Sequence, residues 1–242
     1  MLKDYDEATA FHYKAFRPAL HDQILSECLG EGRFKKGLDV GCGTGQSSIA
    51  LAPYCVEVIA IEPSKAMLGS AIPHPRVDYR GFNGKSWPLI NSEVDVVTFA
   101  GSLYYAKSQT LLNEIRRVCR TTATVLIYDF DIMLEAILKA MDFNKLYSAL
   151  SVYDHRVDLS GLDSSDFDLL HKEQQSAKIS LDAKQLAHLI LADKRYYLSL
   201  IDTLGKNNLY HNVFKMLLKI SDKQKFEVPA KLYFTQYAYV KK

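Results

Sequence analysis

Leu38-Asp39-Val40-Gly41-Cys42-Gly43-Thr44-Gly45-Gln46 is the stretch whose reading decides this chain. It follows the short apolar run Gly37–Val40 and leads into Ser47–Ala52, which reads as a helix. Glycines between a strand and a helix let the backbone turn tightly and let a ligand approach without Cβ clashes. The following helix N-terminus offers unpaired N–H groups. In an open α/β sheet, ligands bind at the carboxyl ends of the strands near the switch point.

Two phosphate motifs fail here. A dinucleotide fingerprint needs a glycine three residues after the second, where Gln46 stands. A P-loop needs Gly-Lys-Ser/Thr, and Gly45-Gln46-Ser47 lacks the lysine.

Outward from the loop, strands alternate with helices. Val56–Ile61 is a near-continuous apolar run, as in a strand buried on both faces. Pro63–Ala71 reads as a helix with Ser64 near its start as cap. Val77–Arg80 and Val94–Ala100 read as the third and fourth strands and Thr122–Tyr128 as the fifth. Between Ser108 and Cys119, the apolar set Leu111, Leu112, Ile115, Val118 and Cys119 fits one helix face. This alternation implies a doubly wound sheet with parallel pairing. The first 35 residues read as helical, with Pro18 at a first turn. After Asp131 the spacing predicts a long helix over 132–150, an irregular polar stretch over 151–180, and helices over 181–204 and 209–220. Period-two alternation from Lys231 to Val240 predicts a closing strand.

Asp-x-Gly-x-Gly-x-Gly at 39–45 resembles motif I of class I S-adenosylmethionine-dependent methyltransferases. Glu62 ends the second strand, where a carboxylate can accept both ribose hydroxyls. Glu62-Pro63-Ser64-Lys65-Ala66-Met67-Leu68 resembles the family's acid-x-Ser-x-x-Met-Leu stretch, and Asn83-Gly84-Lys85-Ser86-Trp87-Pro88-Leu89 its Asp-Ala-Glu-x-Leu-Pro-Phe segment. Asn83 departs from the usual Asp and Lys85 from the usual Glu, but Asn keeps a carbonyl acceptor for the adenine amine. Val94-Asp95-Val96-Val97 resembles the fourth-strand signature. Tyr13…Arg17-Pro18 resembles the Tyr-x-x-x-Arg-Pro of small-molecule members related to trans-aconitate methyltransferases.

The resemblance covers about residues 5–130. It implies S-adenosyl-L-methionine as cofactor and a Rossmann-like α/β sheet of seven strands, mostly parallel, with an antiparallel C-terminal strand and a helical lid. The single domain 1–242 then divides into an N-terminal helical flap (1–35), a cofactor-binding core (36–130), a lid insertion (131–222) and closing strands (223–242). The cofactor-binding set is Tyr13, Arg17, Gly41, Cys42, Gly43, Gln46, Glu62, Pro63, Met67, Asn83, Gly84 and Ala100, with no metal. Arg17 or Tyr13 would face the methionine carboxylate. Alternatives stay open: Asp39 as a loop holder, Cys42 as a small filler, Met67 as core or adenine wall, and Arg17 as an ion-paired helix residue.

Tyr104 and Tyr105 follow the fourth strand near the expected methyl position. They serve more readily as pocket walls than as bases, because phenol titrates near 10. His12 and His155 are weaker candidates still. The acceptor is read as a small organic carboxylate, hydroxyl or amine. A weak or inactive cofactor-binding module and an RNA methyltransferase are the alternatives.

Composition agrees with an ordinary globular chain: 242 residues, 48% hydrophobic, 24% charged, net charge +2. The near balance argues against a protein held to nucleic acid by bulk charge. Neither the Asn/Asp-Pro-Pro-aromatic motif of base amino-methylases nor a Pro-Cys nucleophile occurs; Phe99-Ala100-Gly101-Ser102 stands in the first place. Four scattered cysteines suggest no disulfide or zinc framework and suit a reducing, cytoplasmic setting. No membrane span or signal peptide is expected. Fifteen tyrosines against eleven phenylalanines is the one unusual count.

Overall fold

The computed structural model describes residues 7–83, 86–143, 153–220 and 225–241. Seven strands form one sheet in the order β3-β2-β1-β4-β5-β7-β6. They are β1 (Phe34–Val40), β2 (Cys55–Glu62), β3 (Val77–Gly81), β4 (Val94–Ala100), β5 (Cys119–Ile132), β6 (Phe167–Leu181) and β7 (Phe226–Tyr239). The first five pair in parallel. β7 runs antiparallel to both β5 and β6. The sheet is thus mostly parallel with one reversed C-terminal strand, as expected.

Helices α1 (Glu7–Ala15), α2 (Leu20–Leu29), α3 (Gln46–Leu51), α4 (Lys65–Gly69), α5 (Leu103–Ala106) and α6 (Gln109–Val118) belong to the first half. On one sheet face, Val97, Phe99, Val125 and Ile127 pack against Leu112, Ile115 and Val118 of α6. On the other, Leu126, Tyr128 and Phe130 pack with Ile24 and Leu25 of α2 and Leu51 of α3. Consecutive β5 residues therefore serve opposite cores, as the pleat requires. Ser108 caps α6 by accepting from Leu111 N at 3.2 Å.

Helices α7 (Glu135–Ala140), α8 (Ala183–Ala192), α9 (Lys194–Leu204) and α10 (Leu209–Ile220) build a third cluster with the Phe226–Val228 end of β7, centred on Leu138, Leu186, Ile190, Leu200, Val213 and Leu217. No helix among the described residues is long and apolar enough to cross a membrane.

The second half differs from its sequence reading in three places. The stretch 151–180, read as irregular within a helical insertion, contains β6. β6 pairs only with β7 and lies at the sheet edge, so most of its side chains face water and the apolar alternation of a strand is missing. The long helix read over 132–150 is the short α7, ended at Met141; residues 144–152 lie outside the described part. The stretch 181–204 is two helices. Asp193 has extended backbone that stops α8, and its side chain accepts from Arg195 N to cap α9.

Asp39 fixes the entry to the glycine loop. It is buried at the end of β1 and accepts from Ser47 and Ser48 Oγ, each at 2.6 Å, and from Thr98 Oγ1 at 3.0 Å. Burial pushes its carboxyl pKa up, and the three hydroxyls oppose that. The loop-holding reading of Asp39 fits this geometry. Asp39→Ala leaves three buried hydroxyls without their acceptor and should lower unfolding free energy by about 2–4 kcal/mol in urea titration.

Two buried histidines set a pH limit on the fold. His21 lies against Tyr128 Oη at 3.0 Å, and burial, then Arg17, push its pKa down to about 3. His12 of α1 meets His188 of α8, Nδ1 to Nδ1 at 2.9 Å, and burial, then His188, push it down to about 4. Both fall below the ordinary 6.5, so both are neutral in the fold and the unfolded chain binds the extra protons. Their stabilising effect is complete above about 6.5 and is lost as pH falls through that value, by about 1.4 kcal/mol per pH unit for each histidine. Urea midpoints should therefore fall from about pH 7.5 to about pH 5.5, and fall less in His21→Asn.

Candidate active site

The carboxyl ends of β1, β2 and β4 converge on the glycine loop. Gly41, Gly43 and Gly45 have φ of 72°, 57° and 95°, the region that favours glycine. A Cβ on Gly41 would stand 2.5 Å from Ser102 Cβ, and one on Gly45 would stand 2.1 Å from Tyr79 Oη. Ser102 Oγ donates to Val40 O, which ties the loop after β4 to the end of β1.

The loop amides are largely used inside the fold. Gly41 N and Cys42 N both donate to Ile61 O, at 2.8 and 3.2 Å. Gly43 N donates to Glu62 Oε2 at 2.9 Å, and Ser64 N donates to Glu62 Oε1 at 2.8 Å. Glu62 is buried, and burial raises its pKa while the two amides lower it. Each oxygen has one amide and keeps a further lone pair. The Cys42 thiol is buried and pushed well up by burial, which suits a filler and not a nucleophile.

Gln46 joins the loop to the N-terminal helix. Its Oε1 accepts from Thr44 Oγ1 at 2.5 Å, and its Nε2 donates to Tyr13 O at 3.2 Å, so it fastens α1 to the loop. Pro63 follows Glu62 and is half-buried. Met67 is buried, and its Cε would lie 3.2 Å from a Cβ on Gly43, so its side chain faces the loop. Asn83 is exposed, and its Oδ1 accepts from Ser86 N at 3.3 Å. Gly84 and Lys85 lie outside the described residues. Ala100 ends β4 opposite Tyr128, half-buried.

Arg17 lies between two rings, its guanidinium carbon 4.3 Å from the Tyr13 centroid and 5.1 Å from the Phe130 centroid. Its Nε is buried without a hydrogen-bond partner among the described residues. A buried donor without a partner is costly, and an anionic group would satisfy it. Glycines that leave room beside Met67, a carboxylate with spare lone pairs and an orphaned guanidinium donor fit S-adenosylmethionine: adenosine on one side, carboxylate on the other.

A second cluster lies beside the first, at the carboxyl ends of β4 and β5. A Cβ on Gly101 would stand 3.0 Å from Asp129 Oδ1. Tyr153 Oη lies 2.6 Å from Gly101 O and 2.8 Å from Asp129 Oδ2, within donating distance of both. His155 Nδ1 lies 2.8 Å from Asp129 Oδ2. Tyr104 and Tyr105 pack edge to face at 5.3 Å, and the Tyr153 ring lies 4.5 Å from Tyr104 and 5.6 Å from Tyr105. Both are partly exposed, as wall residues would be. Sequence reasoning missed Asp129 and placed His155 low. The available signal was an acid at the end of an apolar run, as at Glu62.

Comparison with known proteins agrees with the geometry. Residues 38–127 match the family model described as a methyltransferase domain. A provisionally named methyltransferase of Dictyostelium discoideum is 29% identical over 123 residues, 50% of this chain and 47% of that one. A probable S-adenosylmethionine-dependent methyltransferase of Saccharomyces cerevisiae is 28% identical over 132 residues, 50% of this chain and 44% of that one. The chain thus spans about half the length of the curated relatives it matches. A solved structure from Anaeromyxobacter dehalogenans, provisionally named a type II methyltransferase, is similar in fold with a TM-score of 0.62 at 20% identity, over 93% of this chain and 97% of that one. Residues 38–127 thus match a methyltransferase domain model, and the fold is similar to that of a solved methyltransferase structure.

Proposed function

We propose that the chain transfers a methyl group from S-adenosylmethionine to a small organic acceptor by in-line displacement. The observation that carries this reading is the buried Glu62 carboxylate, which holds the glycine loop at Gly43 and keeps lone pairs for ribose hydroxyls. Arg17 would hold the methionine carboxylate, Met67 would wall the adenosine, and Asn83 would take the adenine amine through its carbonyl. The cofactor supplies a methyl carbon activated by positive sulfur. The chain's own task is to hold the acceptor about 3 Å from that carbon and to exclude water.

The small net charge supports a small acceptor over a polyanion. So does the Tyr13…Arg17-Pro18 resemblance to relatives of trans-aconitate methyltransferases. Residues 131–222, with β6 as part of them, are assigned to acceptor choice, and α1 to covering the cofactor. Carboxylate, hydroxyl and amine acceptors are all compatible with the cofactor end alone.

In calorimetry, S-adenosylhomocysteine should bind the wild-type chain. Glu62→Ala and Gly43→Val should each weaken it by at least about tenfold, or about 1.4 kcal/mol. No heat at millimolar ligand, or affinities within about twofold of wild type, would overturn the reading.

A further inference from the structure

We propose that His155 takes a proton from the acceptor, and that the acceptor is therefore protic, a hydroxyl or an amine, and not a carboxylate. This rests on the methyl-transfer reading above and names the acceptor chemistry for the same site.

Position is the first argument. Asp129 and Tyr153 touch Gly101, the residue after Ala100 in the β4 loop, and Ser102 of that loop lies against Gly41. The His155 cluster and the cofactor loop are thus neighbours along one line of strand ends, the arrangement that donor and acceptor sites require.

Orientation is the second. With Nδ1–H donating to Asp129, the neutral imidazole presents its lone pair at Nε2. The ring is held in place by stacking on Tyr233 at 5.8 Å and 14°, and by the Tyr153 edge at 4.7 Å. Nε2 lies 3.9 Å from Asp131 Oδ1, beyond hydrogen-bond length. His155 also lines a cavity of about 200 Å³ shared with Ile127, Val157, Lys172, Tyr233 and Thr235. That volume lies below the roughly 300–1,000 Å³ of ordinary ligand pockets, so only a small acceptor group fits.

Charge is the third. Asp129 and Asp131 from β5 and Asp154 from the loop all act on His155; Arg156 is paired with Asp154. Lys172 of β6 lines the same cavity but is paired with Asp158, and Glu173 lines it too. Tyr153 and Tyr233 pack on the ring, and Tyr104 and Tyr105 pack on Tyr153. Burial lowers the His155 pKa, but the Asp129 hydrogen bond and the three carboxylates outweigh it, so the net shift is upward. The surroundings thus favour the imidazolium that forms when a proton arrives. The same carboxylates disfavour an incoming carboxylate, and an acceptor carboxylate would need no base.

The step balances. The acceptor's O–H or N–H bond breaks and its proton goes to Nε2. The electron pair left on the heteroatom becomes the bond to the methyl carbon, and the C–S pair leaves with sulfur. Asp129 and Tyr153 act through His155 as positioning residues.

Three readouts test this. In ligand-free protein, NMR titration should place His155 above 6.5 in wild type and lower it in Asp129→Asn. Labelled methyl transfer to the small-molecule fraction of a cell extract should give a product that keeps its label in alkali, as ethers and methylamines do. Separate phenol, alcohol and amine arms then assign the atom. The rate should rise with pH through the His155 titration. His155→Asn should lower kcat at least about 100-fold while S-adenosylhomocysteine affinity in calorimetry stays within about twofold. Asp129→Asn should move the pH limb downward at unchanged cofactor affinity, and Asp131→Asn, which removes another carboxylate that raises His155, repeats that test where Asp129→Asn fails to fold.

A product that releases labelled methanol in alkali is a methyl ester and overturns the proposal. So does a wild-type His155 titrating at or below 6.5, or His155→Asn within about threefold of wild type. Loss of S-adenosylhomocysteine binding in wild type sinks the methyl-transfer reading itself. Binding without any labelled product overturns both readings as an activity.

Discussion

The hydrogen bond from Gly43 N to the buried Glu62 carboxylate, 2.9 Å long, joins the glycine loop to the end of β2. A hydrogen bond to a charged acceptor contributes about 1.5–3 kcal/mol, and burial in a low dielectric makes the unpaired alternative costly. The bond fixes the middle of a loop whose three glycines have positive φ. Asp39 holds the loop's entry through three hydroxyls, and Gln46 carries the constraint on to α1 through Tyr13. Ser102 brings the β4 loop against the same backbone. The glycine loop is thus held in a preformed shape by two carboxylates, Glu62 and Asp39.

The Asp129 cluster follows a parallel plan three strands along the sheet, at β5. Asp129 lies just past the Ala100-paired part of β5, within the strand, whereas Glu62 ends β2, and each carboxylate has more than one donor. Glu62 collects backbone amides and shapes the loop. Asp129 accepts from the Phe130 amide at one oxygen and meets a phenol and an imidazole at the other, orienting those side chains. The difference follows from what stands opposite: a glycine loop faces Glu62, whereas the segment from Tyr153 to Val157 faces Asp129.

The central parallel strands were legible because most of their residues on both faces are buried. Val56–Ile61 and Val94–Ala100 have apolar runs with no other use, and the glycines stand at the only strand end whose spacing matches a ligand loop. Glu62 was legible by position. β6 was not, because an edge strand in water needs no apolar alternation, and Asp168-Leu169-Leu170-His171-Lys172-Glu173-Gln174 has none. Asp129 was hidden by ending β5 at Tyr128, where the apolar run ends but the pairing with β7 continues to Ile132. His155 gained its meaning only from Asp129, a partner that sequence distance does not reveal.

We propose the Glu62-pinned loop as the S-adenosylmethionine site. A crystal structure of the complex with S-adenosylhomocysteine tests it most directly. Ribose hydroxyls are expected within hydrogen-bond distance of Glu62, with the ligand carboxylate at Arg17 and the Gly43–Glu62 bond intact. A ligand seated elsewhere, such as the cavity beside Lys172 and Tyr233, or a loop rebuilt with that bond broken, would contradict it.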